Sequence, residues 1–124
     1  MEMNVKTYLI DIIELMPINV VWLIESNEAI VFELFKKSNI SFKKTLEGNE
    51  ILLNDNNKKS IIDLIHNEDI EDMIVHHTFK DSQGNLFKGY DYLEYGVLSK
   101  RLKPSSKHFQ GLINQEYLSI SDEW

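Results

Sequence analysis

The chain has four histidines, and two of them, His76 and His77, are adjacent. With His66, His108 and nearby acidic residues, they could in principle form a metal site. On a β-strand, however, adjacent side chains point to opposite faces of the sheet, so His76 and His77 diverge. A helical metal pair would have the i, i+4 spacing of an HExxH motif, which the sequence lacks. We therefore predict no metal site, and expect His77 to be a half-buried core residue on the face of Phe79.

Acidic residues without an intervening base are concentrated in the middle of the chain, at Asp63, Glu68, Asp69, Glu71 and Asp72. Carboxylates so close together could act in acid–base catalysis, bind a cation or face a basic protein. The DxDxDG pattern of a calcium-binding loop is absent. The run is therefore either a solvated bend between a helix and a strand, or a patch that faces a protein partner.

Motifs for nucleophilic or phosphate chemistry are also missing. The sequence has no GxSxG elbow and no Gly-rich phosphate loop. It has no cysteine, which excludes a thiol nucleophile, a disulfide framework and any thiolate zinc site. We therefore predict no catalytic residue, no cofactor and no enzyme activity. The alternative is a small hydrolase or transferase that pairs His76 or His77 with a carboxylate.

The strongest candidate for function is the segment LFKGYDYLEYGVLSK, residues 86–100, which is rich in tyrosine and acidic groups. Tyrosine provides a large contact area at low entropic cost together with a hydroxyl group, as protein-recognition sites require. If the segment is a strand, Tyr90 and Tyr92 lie on one face of a sheet, and Asp91 and Leu93 lie on the other. The tyrosines then either cover a sheet or form a docking edge for a cationic protein surface.

The docking interpretation combines the tyrosine segment with part of the acidic run. The predicted partner-binding residues are Asp69, Glu71, Asp72, Tyr90, Asp91, Tyr92, Glu94 and Tyr95. In such an interface the carboxylates would pair with Lys or Arg of the partner, and the tyrosines would occupy the desolvated centre.

The elements of the first half of the chain follow from hydrophobic periodicity. Apolar residues at helical spacing predict a helix over residues 5–16, with Asn4 as its cap and Pro17 as its end. Residues 18–24 are β-branched and aromatic, which predicts a buried strand, although a second helix is the alternative. A helix capped by Ser26 should then extend to residue 37, with Ile30 among its inward residues.

The second half is expected to contain mainly hairpins. A turn at Gly48-Asn49 predicts the first hairpin, and a short helix over residues 58–66 should be capped by Asn57 or Asp55. Strands over residues 73–79 and 86–92 should flank a turn at 82–85. Pro104 and the Ser105-Ser106 pair should break the chain before a short helix over 107–113.

The order of these elements predicts an α+β fold with helices packed on an antiparallel or mixed sheet. We assign residues 1–124 to a single domain and expect the tail, about residues 115–124, to be frayed. With 43% hydrophobic residues, a chain of 124 residues can bury one core. The first residues lack the basic region of a signal peptide, and no apolar run is long enough to cross a bilayer. The sequence therefore predicts a cytoplasmic protein.

The charge balance indicates the kind of partner. Twenty acidic residues against 13 basic ones give a net charge of −7. A protein of this charge is repelled by phosphate backbones and attracted to cationic proteins, so direct nucleic-acid binding is disfavoured. The alternative interpretation is that the charge serves solubility only.

The segment that covers residues 75–100, about a fifth of the 124 residues, resembles bacterial toxin-immunity proteins. Small immunity domains of contact-dependent inhibition and related polymorphic toxin systems often carry a strand–turn–strand of the form GxLFxGYDxxExGxIS. The matching residues here are Gly84, Leu86, Phe87, Gly89, Tyr90, Asp91, Glu94, Gly96, Leu98 and Ser99. Tyr92 departs from the pattern, because a small residue is expected after Asp91.

The resemblance implies a non-enzymatic cytosolic inhibitor that binds a cognate toxin domain and occludes its active site or substrate groove. Many such toxins are nucleases with basic surfaces, so an acidic inhibitor would mimic the phosphate field and associate fast. It would bind neither nucleic acid nor a membrane directly. The alternative is a non-catalytic interaction or regulatory module of a bacterial or phage complex.

Overall fold

The computed structural model describes residues 4–103 and 107–124, so the break expected at Pro104, Ser105 and Ser106 lies outside the described residues. The helices are α1 (Val5–Leu15), α2 (Ile30–Lys37), α3 (Asp55–Asn67) and α4 (Lys107–Asn114), with a 3₁₀ helix at Ile70–Met73. The strands are β1 (Val21–Glu25), β2 (Lys43–Lys44), β3 (Asn49–Leu52), β4 (His76–Asp81), β5 (Gly84–Tyr90), β6 (Tyr95–Leu98) and β7 (Leu118–Ile120). None of the helices in this part of the chain has the length and apolar character needed to cross a membrane.

All seven strands form one sheet, in the order β2-β3-β1-β4-β5-β6-β7. Neighbouring strands are antiparallel except β6 and β7, which are parallel, so the sheet is mixed. The predicted α+β fold, with helices packed on a sheet in a single small domain, is confirmed.

Several helices and strands were predicted correctly from short stretches of the sequence. The side chain of Asn4 accepts a hydrogen bond from the Thr7 backbone N–H and caps α1, which ends before Pro17 as expected. Strand β1 overlaps the strand predicted at residues 18–24, and helix α4 covers the helix predicted at residues 107–113. The predicted hairpin forms between β2 and β3, and the Thr45 N–H donates to the Gly48 carbonyl across its turn.

Three local predictions, all at or near helix starts, were wrong. Helix α2 begins at Ile30 rather than near Ser26, whose hydroxyl instead donates to the Met73 carbonyl at 2.5 Å. Ile30, expected to point inward, is 52% exposed. The cap of α3 is Asn54, which forms a reciprocal capping box with Asn57.

The tail was expected to be frayed, and that expectation is wrong for Leu118–Ile120. This strand lies parallel to β6, with Gly96 opposite Leu118 and Leu98 opposite Ile120. Leu118 is buried, and the Ser99 hydroxyl donates to the Asp122 carboxylate at 2.6 Å. An apolar anchor and a charge-assisted hydrogen bond therefore hold the segment on the sheet.

One face of the sheet forms the core beneath the helices. Trp22 on β1 is fully buried, and its ring stacks on Phe79 of β4 at 5.5 Å between centroids. Phe35 of α2 packs edge-on against Trp22 at 6.1 Å, and Tyr8 of α1 packs edge-on against Phe87 at the same distance. These contacts place α1 and α2 on the same face, which removes its apolar surface from water.

The other face carries side chains that are mostly half-exposed. Leu23 is buried, but it does not belong to the apolar cluster that contains its neighbours Trp22 and Ile24. Across this face Lys80 pairs with Glu50 at 3.4 Å. The sheet therefore has a core face and an outer face, and successive residues of each strand alternate between them.

Gly96 on β6 is required for the contact between the sheet and α1. A Cβ atom at this position would lie 2.4 Å from the Tyr8 Oη and 2.7 Å from the Phe87 ring. The Tyr8 hydroxyl and the Gly96 N–H both donate to the Tyr117 carbonyl, at 3.3 Å and 2.9 Å. The absence of a side chain therefore lets α1, β6 and the chain before β7 meet at one point.

We expect Gly96→Ala to lower the free energy of unfolding by about 1–3 kcal/mol, because the added methyl group overpacks a core without space for it. Urea denaturation measures the change. Tyr8→Phe removes the nearest clashing atom, so the double variant should lose less than the sum of the two single losses. Strictly additive losses would contradict this account of the contact.

Candidate interaction site at one end of the sheet

A row of side chains crosses four strands at one end of the outer face. Glu25 on β1 is opposite His76 on β4, and Tyr90 on β5 is opposite Tyr95 on β6. In the next pair towards the middle of the sheet, His77 of β4 is opposite Gly89 of β5. His76 and Tyr90 are the adjacent residues on these two strands, so they lie beside each other. Directly opposed residues of antiparallel strands share a face, so these four side chains lie side by side.

Contacts along this row order the aromatic rings. The rings of His76 and Tyr90 meet edge-on at 6.0 Å, and those of Tyr90 and Tyr95 stack at 6.5 Å between centroids. Lys88 Nζ lies 5.8 Å from the centre of the Tyr90 ring. The Tyr95 hydroxyl shares a 2.7 Å hydrogen bond with the Ser119 hydroxyl on β7. The three rings therefore form a pre-arranged surface, which we call the aromatic row (His76, Tyr90 and Tyr95).

The connection between β5 and β6 is a left-handed turn rather than a continuation of the strand. Asp91, Tyr92 and Leu93 have φ values of 51°, 58° and 62°. The prediction that a strand over residues 86–92 places Tyr90 and Tyr92 on one face was therefore wrong: β5 ends at Tyr90, and the partner of Tyr90 is Tyr95. We call residues 91–94 the tyrosine turn.

Three hydrogen bonds and one apolar anchor hold the tyrosine turn. The Asp91 N–H donates to Nδ1 of His76 at 3.2 Å, and the Tyr92 N–H donates to the Val75 carbonyl at 2.9 Å. The Glu94 N–H donates to the Asp91 carbonyl at 3.2 Å. The Leu93 side chain is fully buried, and its Cδ2 would lie 2.4 Å from a Cβ atom at Gly89. Gly89 therefore provides the space in which the turn is anchored.

The tyrosine turn and the start of β6 therefore expose polar and aromatic side chains in fixed positions. Asp91, Tyr92, Glu94 and Tyr95 are all exposed, with Tyr92 at 47% and Tyr95 at 42%. Non-glycine residues in the left-handed region each cost about 1–3 kcal/mol, and such strain is found preferentially at functional sites. A turn already locked in one conformation loses little entropy on binding, which favours affinity.

The acidic run is partly paired within the molecule. No lysine or arginine interrupts it in the sequence, but the fold brings Lys6 of α1 to 3.2 Å from the Asp69 carboxylate and 3.5 Å from that of Glu71. Lys6 Nζ also donates to the backbone carbonyls of Ile65 and Glu68. This cation neutralises part of the run and ties α1 to the end of α3.

Glu71 is not available as a partner contact, so its assignment to the interface was wrong. Its side chain is 4% exposed, and burial raises the pKa of its carboxyl group while the nearby Lys6 opposes that rise. Asp69 is exposed but paired with Lys6. Asp72 is exposed and lies three positions before Val75, so its Cα is within about 11 Å of the residue that holds the tyrosine turn. Asp72 is therefore the member of the run best placed to join the turn.

His77 is more deeply buried than the half-buried position we predicted, although it does share the core face with Phe79. It is fully buried and stacks on Trp22, with the ring planes 8° apart. The Trp22 Nε1–H donates to Nδ1 of His77 at 3.0 Å, which requires Nδ1 to be unprotonated. Burial lowers the pKa of His77 to about 3. His77 is therefore a neutral structural residue.

His76 does lie beside carboxylates. A cavity of about 350 Å³ opens next to it, with Glu25 and Glu47 also in its lining. The hydrogen bond to His76, however, comes from the backbone N–H of Asp91 and not from a carboxylate, so Nδ1 is used to hold the turn. His108 is separate and pairs with Asp11 of α1 at 2.5 Å. Among the residues that the structure describes, no three or more His, Asp or Glu side chains are grouped so that they could hold a metal ion.

Two further residues of this region were missed by the sequence analysis. Glu25 ends β1 and Glu47 lies in the β2–β3 turn, far apart in sequence from the tyrosine turn. The placement of Glu25 depends on the pairing of β1 with β4, and a sequence pattern does not show which strands will pair. The turn signal at Gly48 was recognised, but the end of the sheet at which it would lie was not.

Comparison with known proteins gives no matching family model, no matching curated protein and no matching solved structure.

We expect the stability of the fold to fall as the pH decreases from about 6.5 towards 3, since these are the ordinary and the folded pKa values of His77. Within that pH range the unfolded chain binds a proton at His77 and the folded chain does not. Above that range His77 is unprotonated in both states, so it no longer lowers the free energy of unfolding. The slope from this group should approach about 1.4 kcal/mol per pH unit. Urea denaturation at a series of pH values tests this against His77→Gln, which should lose that slope, and against the exposed-site control His66→Gln, which should keep it.

Proposed function

We propose that this protein is a cytoplasmic immunity protein that binds a cognate toxin domain and neutralises it without catalysis. The partner is a nuclease toxin with a basic surface, and binding blocks its active site or substrate groove. The observation that carries the proposal is the locked tyrosine turn, which presents Asp91, Tyr92 and Glu94 beside the aromatic row.

The chemistry of the surface supports a basic protein partner. Exposed carboxylates at Asp72, Asp91 and Glu94 offer charge-assisted pairing to lysine and arginine side chains. A nuclease groove is basic because it binds phosphates, so it would accept these carboxylates in place of its substrate. The net charge of −7 adds long-range attraction, which increases the association rate most at low ionic strength.

The aromatic groups would provide the central contact. Tyr92 and Tyr95 are both exposed, and Tyr95 is held by the Ser119 hydroxyl and by stacking on Tyr90. Buried tyrosines at the centre of an interface often account for about 2 kcal/mol or more each. Their rigid placement reduces the entropy lost when a complex forms.

The same surface would also suit a non-catalytic interaction module of a bacterial or phage complex, because nothing in its chemistry requires that the basic partner be toxic. Neutralisation of a toxin therefore separates the two functions. The decisive test is co-expression with the toxin domain encoded next to this chain, scored by host survival and by co-elution at low and high salt.

We expect rescue of growth and a one-to-one complex that weakens as the salt concentration rises, since exposed charge pairs are screened. Absence of both rescue and complex would contradict the immunity proposal. A complex with a non-toxic basic protein instead would favour the interaction module.

We expect the double variant Asp91→Asn and Glu94→Lys to raise the Kd for the toxin domain by about 10- to 100-fold, because it removes one charge and reverses another at the turn. Asparagine tolerates the left-handed conformation at position 91, so the turn is preserved. Isothermal titration calorimetry at two salt concentrations measures the change and the salt dependence.

The matched control makes the same charge change on exposed helix positions, through Asp63→Asn and Glu14→Lys. It should alter the Kd less than about threefold, because only the long-range field changes. Equal effects of the two double variants would mean that the tyrosine turn is not the contact.

A further inference from the structure

A polar cleft lies beside the tyrosine turn, with a volume of about 350 Å³. The residues that line it come from the ends of three neighbouring strands and the turns next to them: Ile24, Glu25, Ser26, Asn27, Glu47, Gly48, Asn49, Val75 and His76. The volume is at the lower end of the range for binding pockets, which suits one inserted side chain better than a large ligand.

The strand order places the cleft between two turns. On one side, Asn49 begins β3 and follows the Thr45–Gly48 turn, opposite Ile24 of β1. On the other side, Val75 and His76 accept hydrogen bonds from the tyrosine turn through their carbonyl and Nδ1 atoms. The cleft and both turns therefore open at the same end of the sheet.

The cleft is acidic. Glu25 is half-exposed and Glu47 is exposed, so both carboxylates are accessible to a partner. Neither lysine nor arginine is among the residues that line it, and those residues include no other charged side chain apart from the ionisable His76. A cation that entered would meet two carboxylates without a competing positive charge in the lining.

The Thr45–Gly48 turn, on the side of the cleft away from the tyrosine turn, exposes an apolar side chain. Leu46 has a relative exposure of 107%, the highest among the large apolar side chains that are exposed in the described residues. The Thr45 hydroxyl accepts hydrogen bonds from the Glu47 and Gly48 N–H groups, which fixes the turn that carries Leu46. Tyr92 is the corresponding exposed side chain on the tyrosine turn, at 47%.

We propose that this cleft receives an arginine side chain of the toxin partner, between Glu25 and Glu47, while Leu46 and Tyr92 contact the partner on either side. The inference depends on the proposed function and extends its interface beyond the tyrosine turn. Arginine fits because its planar guanidinium can pair with two carboxylates at once and is less strongly hydrated than the lysine ammonium. The exposed apolar tips would exclude water from these ion pairs and so strengthen them.

The test is the Kd for the toxin domain, measured by titration calorimetry for the wild-type protein and for Glu25→Gln with Glu47→Gln. We expect the Kd of this double variant to rise by about tenfold or more, because the guanidinium loses both of its partners. The control with the same loss of charge is Glu14→Gln with Glu33→Gln, at exposed positions on α1 and α2, and its Kd should change less than about threefold.

The single variant Glu47→Gln changes only an exposed turn, so it tests the cleft even if Glu25→Gln affects folding. We expect it to raise the Kd about threefold or more. Leu46→Ser should raise the Kd without changing its salt dependence, since no charge is lost. If the wild-type protein binds and the cleft variants match their control, the arginine cleft is wrong and the proposed function stands. If the wild-type protein does not bind the toxin domain, both proposals are wrong.

Discussion

The contact between Trp22 of β1 and His77 of β4, diagonal neighbours on the core face, is the constraint on which the rest of the molecule depends. Both residues are fully buried, their rings are stacked, and the Trp22 indole N–H donates to the imidazole at 3.0 Å. This contact holds only if β1 and β4 pair in the observed register. A slip of one residue would move Trp22 to the outer face and Glu25 into the core, since the side-chain period of a strand is two. The geometry that buries a neutral histidine therefore also puts Glu25 and His76 at the outer surface.

The structural features that were predicted correctly depend on residues that are close together in the sequence. The cap at Asn4, the helical stripe of α1 and the β2–β3 hairpin are local, and each could be predicted from residue types and spacing. Features that depend on distant partners were missed. Leu118–Ile120 forms a strand by pairing with β6, and the buried Glu71 lies 3.5 Å from Lys6 of α1. The tyrosine segment was identified, but a period-two pattern does not indicate three consecutive left-handed residues at 91–93.

The candidate interface combines a rigid backbone with concentrated negative charge. Packing and hydrogen bonds to Val75 and His76 fix the tyrosine turn, so the conformational cost is met when the chain folds and not when a partner arrives. The exposed carboxylates of Asp91 and Glu94 lie on this frame without an ion pair to any lysine or arginine of the described residues. A basic partner of the kind proposed would therefore meet carboxylates that are already held in place to pair with its charges.

The contact between Tyr8 and the Tyr117 carbonyl, across 109 positions of the chain, has a consequence for how the protein reaches its native state. His108 and Asp11 are joined in the same way across 97 positions. Such distant contacts form only after a large loop has closed, so the loop entropy must be lost before the contacts can compensate for it. Helix α1 can be held earlier by α3, through the hydrogen bonds from Lys6 to the Ile65 and Glu68 carbonyls, but its contacts with Tyr117 and His108 require the last part of the chain. Until then Tyr8 and Asp11 lack their native partners, so these two contacts of α1 are among the last that the growing chain can complete.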